Sequence, residues 1–159
     1  MSLEGNKDSR CYVCGPDNPL GQRVPFSPNG EQGSQARYTA LSEHAGWSGI
    51  LHGGVTFALM DEALGWSLYY QSLPAVTARV ETRFHKPISV GTKLIVKAWV
   101  VKRQRRLFVA RAEIRIDGSE ATLLAEADAA MYLIGRKVEV AADSSNSNSN
   151  QEDSKIVSV

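Results

Sequence analysis

The sequence predicts an α+β domain in which an antiparallel sheet of five to six strands curls around one central helix. Residues 52–70 form a long segment without proline that is apolar at most positions, as expected of a helix buried on nearly every face. Several later segments alternate between apolar and polar residues, which is typical of antiparallel strands with one covered face.

The strand segments follow one another along the chain. One strand is expected over 35–41, and longer ones over 76–85, 93–102 and 107–116, with a further strand after the Asp117-Gly118 turn. In the first long strand the apolar or small residues are even-numbered, namely Val76, Ala78, Val80, Thr82 and Phe84. This pattern places Thr77 on the opposite, polar face.

Composition excludes several classes of protein. The 159 residues carry 18 Lys and Arg against 17 Asp and Glu, a net charge of +1, so nothing indicates a nucleic-acid binder. No apolar run reaches the ~20 residues of a membrane-spanning helix, and the N-terminus lacks the apolar core of a secretory signal. We therefore expect a cytoplasmic protein without a membrane partner.

The expected organisation is a single folded domain between two segments of other character. Residues 1–21 are predicted to be a loop containing Cys11-x-x-Cys14, and residues 22–140 the folded domain. Residues 141–159 are rich in Ser and Asn, which predicts a disordered tail.

Two adjacent carboxylates, Asp61 and Glu62, interrupt the apolar helix. Burying them is costly unless they are paired or used. Either Glu62 points to a rim while Asp61 caps a neighbouring loop, or one of them is a general base or nucleophile.

The helix is expected to start at His52-Gly53-Gly54. Free N–H groups of its first turn, at the positive end of the helix dipole, can polarise a carbonyl; the alternative is a plain loop-to-helix junction. Gly54 and Asp61 share a helix face but lie about 10 Å apart along the axis. One carbonyl reaches both only if two helices run antiparallel across a two-fold axis, so this chemistry would require a homodimer.

These motifs together resemble a known family. The order His52-Gly53-Gly54, then Asp61-Glu62-Ala63, then residues 84–91 (FHKPISVG) is similar to the phenylacetate-pathway type of hotdog-fold acyl-CoA thioesterases. The Cys11–Gly15 and Asn18–Gly21 segments resemble a bacterial subgroup and the thioesterases that hydrolyse long-chain acyl-CoA. The likeness covers about residues 11–133.

The resemblance implies a hotdog fold and hydrolysis of acyl-CoA to a free acid and coenzyme A, with no metal or other cofactor. It implies that Asp61 is the general base or nucleophile, with Glu62 as the reserve. The Gly54 amide would polarise the thioester carbonyl from the opposite subunit, with His52 shaping the loop, and Thr77 would orient the water. Relatives often carry Asn or Gln where this chain has Gly46, so Ser48 or a water would take that place.

Other residues are candidate substrate contacts. Gly53 permits a close approach of the ligand, and Arg103, Arg105 and Arg106 form a basic turn suited to the phosphates of coenzyme A, or simply a solvated turn. Trp47, with Trp66, Tyr69 and Tyr70, could line an acyl pocket or belong to the core.

The two cysteines have half the ligands of a zinc knuckle, and no second pair follows them. Because a structural site needs four ligands, we expect reduced thiols and no bound metal, unless ligands come from elsewhere or from a second chain.

The leading interpretation is an acyl-CoA thioesterase that is at least a dimer, with a dimer of dimers as an extension. One alternative is a non-catalytic acyl-CoA binder or ligand sensor. Another is a hotdog hydratase or dehydratase, which would need His52 for proton transfer at carbon. An interaction module acting through the cysteine loop comes last.

Overall fold

A single helix packs against one face of a six-stranded antiparallel sheet in the computed structural model, which describes residues 8–134. In chain order the elements are β1 (Phe26–Pro28), β2 (Gly33–Thr39), a short 3-10 helix (Ser42–His44), β3 (Ala45–Trp47), β4 (Ile50–Leu51), α1 (Gly53–Tyr69), β5 (Ala75–Phe84), β6 (Lys93–Gln104), β7 (Leu107–Ile116) and β8 (Ser119–Leu133). The main sheet has the order β1-β2-β6-β7-β8-β5, and β3 pairs with β4 separately.

The predicted α+β architecture of five to six antiparallel strands around one long helix is confirmed. Strands β2, β5, β6, β7 and β8 fall on the predicted segments, while the two- and three-residue strands β1, β3 and β4 escaped prediction. Residues 8–25 contain turns and no helix or strand. The predicted tail and the end of the domain at residue 140 lie outside the described residues. No helix of the described part is long and apolar enough to cross a membrane.

Rows of alanine on the inner face of the sheet make room for the helix. Ala98, Ala112 and Ala127 are direct neighbours on β6, β7 and β8, and all three are at most 1% exposed. Because these side chains are short, the fully buried Leu64 and its neighbours on α1 can pack close to the strands.

We expect Ala112→Leu to destabilise the fold by about 1–3 kcal/mol, because the added carbons have no space between sheet and helix. Urea unfolding followed by circular dichroism measures the change. Val101→Leu is the matched control, since Val101 is exposed and its replacement should change the free energy of unfolding little. Equal stability of the two variants would contradict this account of the packing.

The helix is buried on one face only, which corrects the expectation of burial on nearly every face. Its buried positions recur every three or four residues and are Thr56, Leu59, Met60, Ala63, Leu64, Ser67 and Leu68. The opposite face carries a stripe of residues that are exposed or half-buried in the single chain, made of Gly54, Phe57, Ala58, Asp61 and Gly65. We call these five residues the open stripe. Because Phe57 and Ala58 in this stripe are apolar, the sequence alone predicted burial on nearly every face of the helix.

Strand β5 contains a bulge at Ala78, and the bulge overturns part of the predicted alternation. Thr77 pairs with Met131, whereas Arg79 pairs with the next residue of β8, Ala130. The extra residue on β5 reverses the sidedness of the strand at that point. Thr77 therefore lies on the inner face beside the buried Met131, and Val76 lies on the outer face, where it is 44% exposed.

Candidate functional site

Asp61 sits on the open stripe of α1 and is held by a residue of β5. The Thr77 hydroxyl donates a hydrogen bond of 2.7 Å to Asp61 Oδ1 and also lies 3.5 Å from Met131 Sδ. This contact exists because the bulge at Ala78 turns Thr77 towards the helix. A carboxylate fixed by one hydroxyl keeps its second oxygen available for a water or a substrate.

The start of the helix is capped by His52. Its ring atom Nδ1 accepts a hydrogen bond of 2.8 Å from the Gly54 N–H, and its carbonyl accepts from Val55 N and Thr56 N. The amide that the resemblance assigns to the thioester carbonyl is thus bound to a side chain of the same chain. A carbonyl at this place has to share the Gly54 N–H with the imidazole or displace it.

Gly46 stands where the resemblance implies an Asn or Gln, and the structure shows that a side chain there would press against His52. A Cβ on Gly46 would lie 2.9 Å from His52 Cδ2 and 3.2 Å from His52 Cα. A side chain at position 46 would therefore require His52 to move. Ser48, the expected substitute, is exposed on the connection between β3 and β4.

We expect His52→Ala to lower the free energy of unfolding by about 1 kcal/mol, because the helix loses its N-terminal cap. His52→Asn, which retains a side-chain acceptor for the cap, should recover most of this loss. Chemical denaturation of the three proteins under one set of conditions provides the test. If both variants were as stable as the parent, the hydrogen bond from the Gly54 N–H to His52 would have no role in stability.

Clefts open on both sides of the helix start. One of about 290 Å³ is lined by Trp47, Gly53, Thr56 and Phe84 together with residues of the 85–88 segment. Another of about 350 Å³ is lined by Tyr12, His44, His52 and Gly54, among others. Neither includes Asp61, which lies two helical turns away. Within one chain, the structure does not bring Asp61 and Gly54 together.

Glu62 faces a different part of the molecule from Asp61, as expected for adjacent positions on a helix, which differ by about 100°. Its Oε2 accepts from the Cys11 thiol at 3.6 Å. Cys14 is close by, and burial, reinforced by the Glu62 carboxylate, raises the pKa of the Cys14 thiol far above its usual value. The reserve candidate for the base is thus committed to the cysteine loop.

The predicted basic turn joins β6 to β7. Arg103 pairs with Phe108 in the sheet, and its guanidinium lies 5.2 Å from the ring centre. Arg106 donates to the Leu133 carbonyl at 3.1 Å and lies over the Tyr132 ring. Arg105 adopts φ +47° at the tip and is exposed. Arg103 and Arg106 are therefore partly engaged by their own chain.

The row of the sheet that contains Thr77 also leads to Arg103. Thr77, Met131, Phe108 and Arg103 are successive neighbours across β5, β8, β7 and β6. Three strand spacings put Arg103 about 14 Å from Thr77 along the sheet. The basic turn and Asp61 consequently share one end of the sheet.

The aromatic residues divide into two groups. Trp47 is 83% exposed beside the helix start. Trp66 lies in contact with Phe26, Tyr69 and Tyr70, and the Tyr70 hydroxyl donates to the Phe26 carbonyl. Trp66, Tyr69 and Tyr70 form a cluster near the helix end, so of the four aromatic residues named from the sequence Trp47 alone lies at the Gly53-Gly54 end.

Sequence reasoning missed Phe84 and the following segment as walls of the cleft beside Gly53. Phe84 is exposed on the end of β5, whereas in the sequence it simply continues the apolar alternation of that strand. The approach of Glu62 to the cysteines joins residues 51 positions apart, and no local pattern indicates it.

Comparison with known proteins agrees with this architecture. The sequence model of the Thioesterase superfamily matches residues 48–123, slightly less than half of the chain. No curated protein sequence matches.

Solved structures give the fold. RHA08564, a thioesterase superfamily protein, superposes with a TM-score of 0.71 at 22% identity. The match covers 77% of this chain but only 62% of the length of RHA08564. The Escherichia coli PaaI protein from the phenylacetic acid degradation operon gives a TM-score of 0.66 at 22% identity, covering 72% of this chain and 81% of PaaI.

A third similar structure is a hypothetical thioesterase protein with coenzyme A from Streptococcus pneumoniae, with a TM-score of 0.66 at 19% identity over 72% of this chain and 88% of that one. Two further structures are single alanine variants of a hypothetical thioesterase protein from the same organism, one at an aspartate and one at a threonine sixteen residues later. One helix against a six-stranded antiparallel sheet, shared with these structures, makes this chain a hotdog-fold protein of the α+β class.

Proposed function

We propose that this chain is an acyl-CoA thioesterase of the Thioesterase superfamily, in which Asp61 acts as general base or nucleophile in hydrolysis of the thioester to a free acid and coenzyme A. The observation that carries the proposal is the Asp61 carboxylate, which is held by Thr77 on the open stripe of the helix. A carboxylate in that position can take a proton from water or attack the carbonyl carbon itself.

The relationship between Asp61 and Thr77 supports these roles. The two residues are sixteen positions apart, the same separation as between the aspartate and the threonine replaced in the Streptococcus pneumoniae variants. The Thr77 hydroxyl fixes one carboxylate oxygen at 2.7 Å, which leaves the other directed to the reacting water. Thr77 thus orients the base, and through it the water.

The site requires a second copy of the chain. The open stripe runs from Gly54 through Asp61 to Gly65, and the small residues in it permit two helices to approach closely. Beside it, β5 is a ten-residue strand at the edge of the sheet, and within residues 8–134 it pairs with β8 alone. Long unpaired edges are prone to pair with another chain. A homodimer with antiparallel helices covers both features and places Asp61 of one chain near Gly54 of the other.

At that junction the thioester carbonyl would accept from the Gly54 N–H in place of the His52 imidazole. The positive end of the helix dipole then stabilises the charge that develops on the oxygen. Gly53 admits the ligand without a side chain, and Trp47 and Phe84 supply an apolar wall for the acyl group. Ser48, exposed on the connection between β3 and β4, is the residue that would supply a polar contact there.

The coenzyme A portion is assigned to the basic turn. Arg105 is exposed and Arg103 is held over Phe108 at the same end of the sheet as Thr77. Guanidinium groups bind phosphate oxygens well. The distance from Thr77 leaves room for the pantetheine arm between thioester and phosphates.

Arg106 supports the turn through Leu133 and Tyr132. The proposed location is the cytoplasm, where acyl-CoA is made and used.

A non-catalytic acyl-CoA binder is the second candidate, favoured by the hydrogen bond that engages the Gly54 amide within its own chain. Thiol release and ligand binding measured on short, long and aromatic acyl-CoAs separate the two functions. The thioesterase predicts continuous thiol release with at least one class of acyl group. Tight binding without turnover across the panel would establish the binder and overturn the enzyme.

A further inference from the structure

The cysteine loop and the central helix bring three metal-ligating groups together beside Glu62, which flanks the open stripe about 100° around α1 from Asp61. The thiols of Cys11 and Cys14 and a carboxylate oxygen of Glu62 all lie within 4.8 Å of one another. All three residues are half-buried. The sequence offered only the two cysteines, and the structure supplies the third ligand, 48 residues after Cys14 along the chain.

The distances suit a tetrahedral zinc ion. With Zn–S of about 2.3 Å and Zn–O of about 2.0 Å, a sulfur and an oxygen bound to one zinc are about 3.5 Å apart, and two sulfurs about 3.8 Å. Cys11 Sγ is 3.6 Å from Glu62 Oε2. The spacing of two residues between the cysteines is the usual one for ligands that share a metal.

The loop that carries the thiols is fixed by its own contacts. Val13, between the cysteines, is 6% exposed and belongs to the core, and its carbonyl accepts from Val24 N at 2.8 Å. Gly15 N donates to the Cys11 carbonyl at 3.0 Å. A Cβ on Gly15 would lie 2.4 Å from Cys11 N and 2.5 Å from the Ser9 carbonyl oxygen, so this turn requires glycine. The two sulfurs are therefore presented to Glu62 by a tight turn rather than by a loose tail.

We propose that Cys11, Cys14 and Glu62 bind a divalent, thiolate-preferring cation of the zinc class, with the fourth position left to water. A bound cation would account for the position of the Glu62 carboxylate beside the two thiols. A disulfide between the two cysteines would not require a carboxylate there. Thiolate ligands select zinc over magnesium or calcium. The ion would fasten the N-terminal loop to α1 at the residue next to Asp61, and it would remove Glu62 from the chemistry of the thioester. It plays no part in hydrolysis, so the inference is independent of the proposed function.

The test is the metal content of the full chain after zinc-supplemented expression and purification in reducing buffer without chelator. We expect about one zinc per chain by elemental analysis. After exchange into cobalt, thiolate-to-cobalt absorption in the near ultraviolet should appear, and Cys11→Ser and Cys14→Ser should abolish it. Glu62→Gln should weaken cobalt binding at least tenfold, roughly what loss of even an outer-shell partner costs. Asp61→Asn is the matched control on the same helix and should bind cobalt like the parent.

Circular dichroism and gel filtration establish that each variant is folded, so that loss of metal is not mistaken for loss of structure. Failure of the folded parent to bind zinc or cobalt with both thiols reduced would overturn the site. Unchanged cobalt affinity in Glu62→Gln would overturn the role of the carboxylate. A parent that holds zinc but hydrolyses no acyl-CoA would support this inference and leave only the proposed function in error.

Discussion

Replacing Asp61 by Asn should reduce acyl-CoA hydrolysis by at least about 100-fold while the fold and the dimer are retained. General-base catalysis typically contributes about 10²–10⁴-fold, and an amide can neither accept the proton of water nor form an anhydride with the acyl group. The amide is nearly the same size as the carboxylate and can still accept the hydrogen bond from Thr77. Steady-state thiol release from the best acyl-CoA of the panel measures the loss.

Asp128→Asn provides the matched control for this experiment. Asp128 lies on β8, half exposed and 3.9 Å from Arg111, on the outer face of the sheet away from the helix. Its replacement removes the same charge at a distance from the proposed site, and turnover should remain near that of the parent. If Asp61→Asn hydrolysed as fast as the parent while Glu62→Gln were inactive, the catalytic role would move by one residue.

The elements of the fold could be predicted because their signals are local. On β6, β7 and β8 the sequence alternates between apolar and polar residues. The apolar positions, for example Val96, Ala110 and Ala127, are buried as expected. The helix begins at Gly53, one residue after the predicted start, because His52 serves as its cap. Short strands such as β4, with two residues, contain too few positions to show a period.

The details that shape the candidate site could not be predicted in the same way. The bulge at Ala78 is marked by neither Gly nor Pro, yet it decides whether Thr77 reaches Asp61. The open stripe was indistinguishable from a buried face, since an apolar residue such as Phe57 has the same pattern under a partner as in a core. The hydrogen bond that engages Gly54 depends on the rotamer of His52, which sequence does not encode locally.

The second prediction with a large effect is that each site takes Asp61 from one chain and Gly54 from its partner. Gly54→Pro removes the proposed carbonyl donor, and proline is tolerated by the backbone of the first turn of a helix. A Cβ at this position would lie 2.9 Å from His52 Nδ1, so the imidazole has to move, and circular dichroism of the variant checks that the fold is retained. This variant alone should lose most of its turnover, as should Asp61→Asn alone. In a mixed dimer, however, the Asp61 of the Gly54→Pro chain faces the intact Gly54 of the Asp61→Asn chain. One of the two sites is then complete.

The measurement that tests the central claim most directly is thiol release after the two inactive variants are mixed, unfolded and refolded together. Random pairing makes half of the dimers mixed, and one site in each is complete, so activity should return to about a quarter of that of the parent treated in the same way. Each variant refolded alone is the control and should stay inactive. No recovery from a mixture that gel filtration shows to be dimeric would contradict a site shared between Asp61 of one chain and Gly54 of its partner.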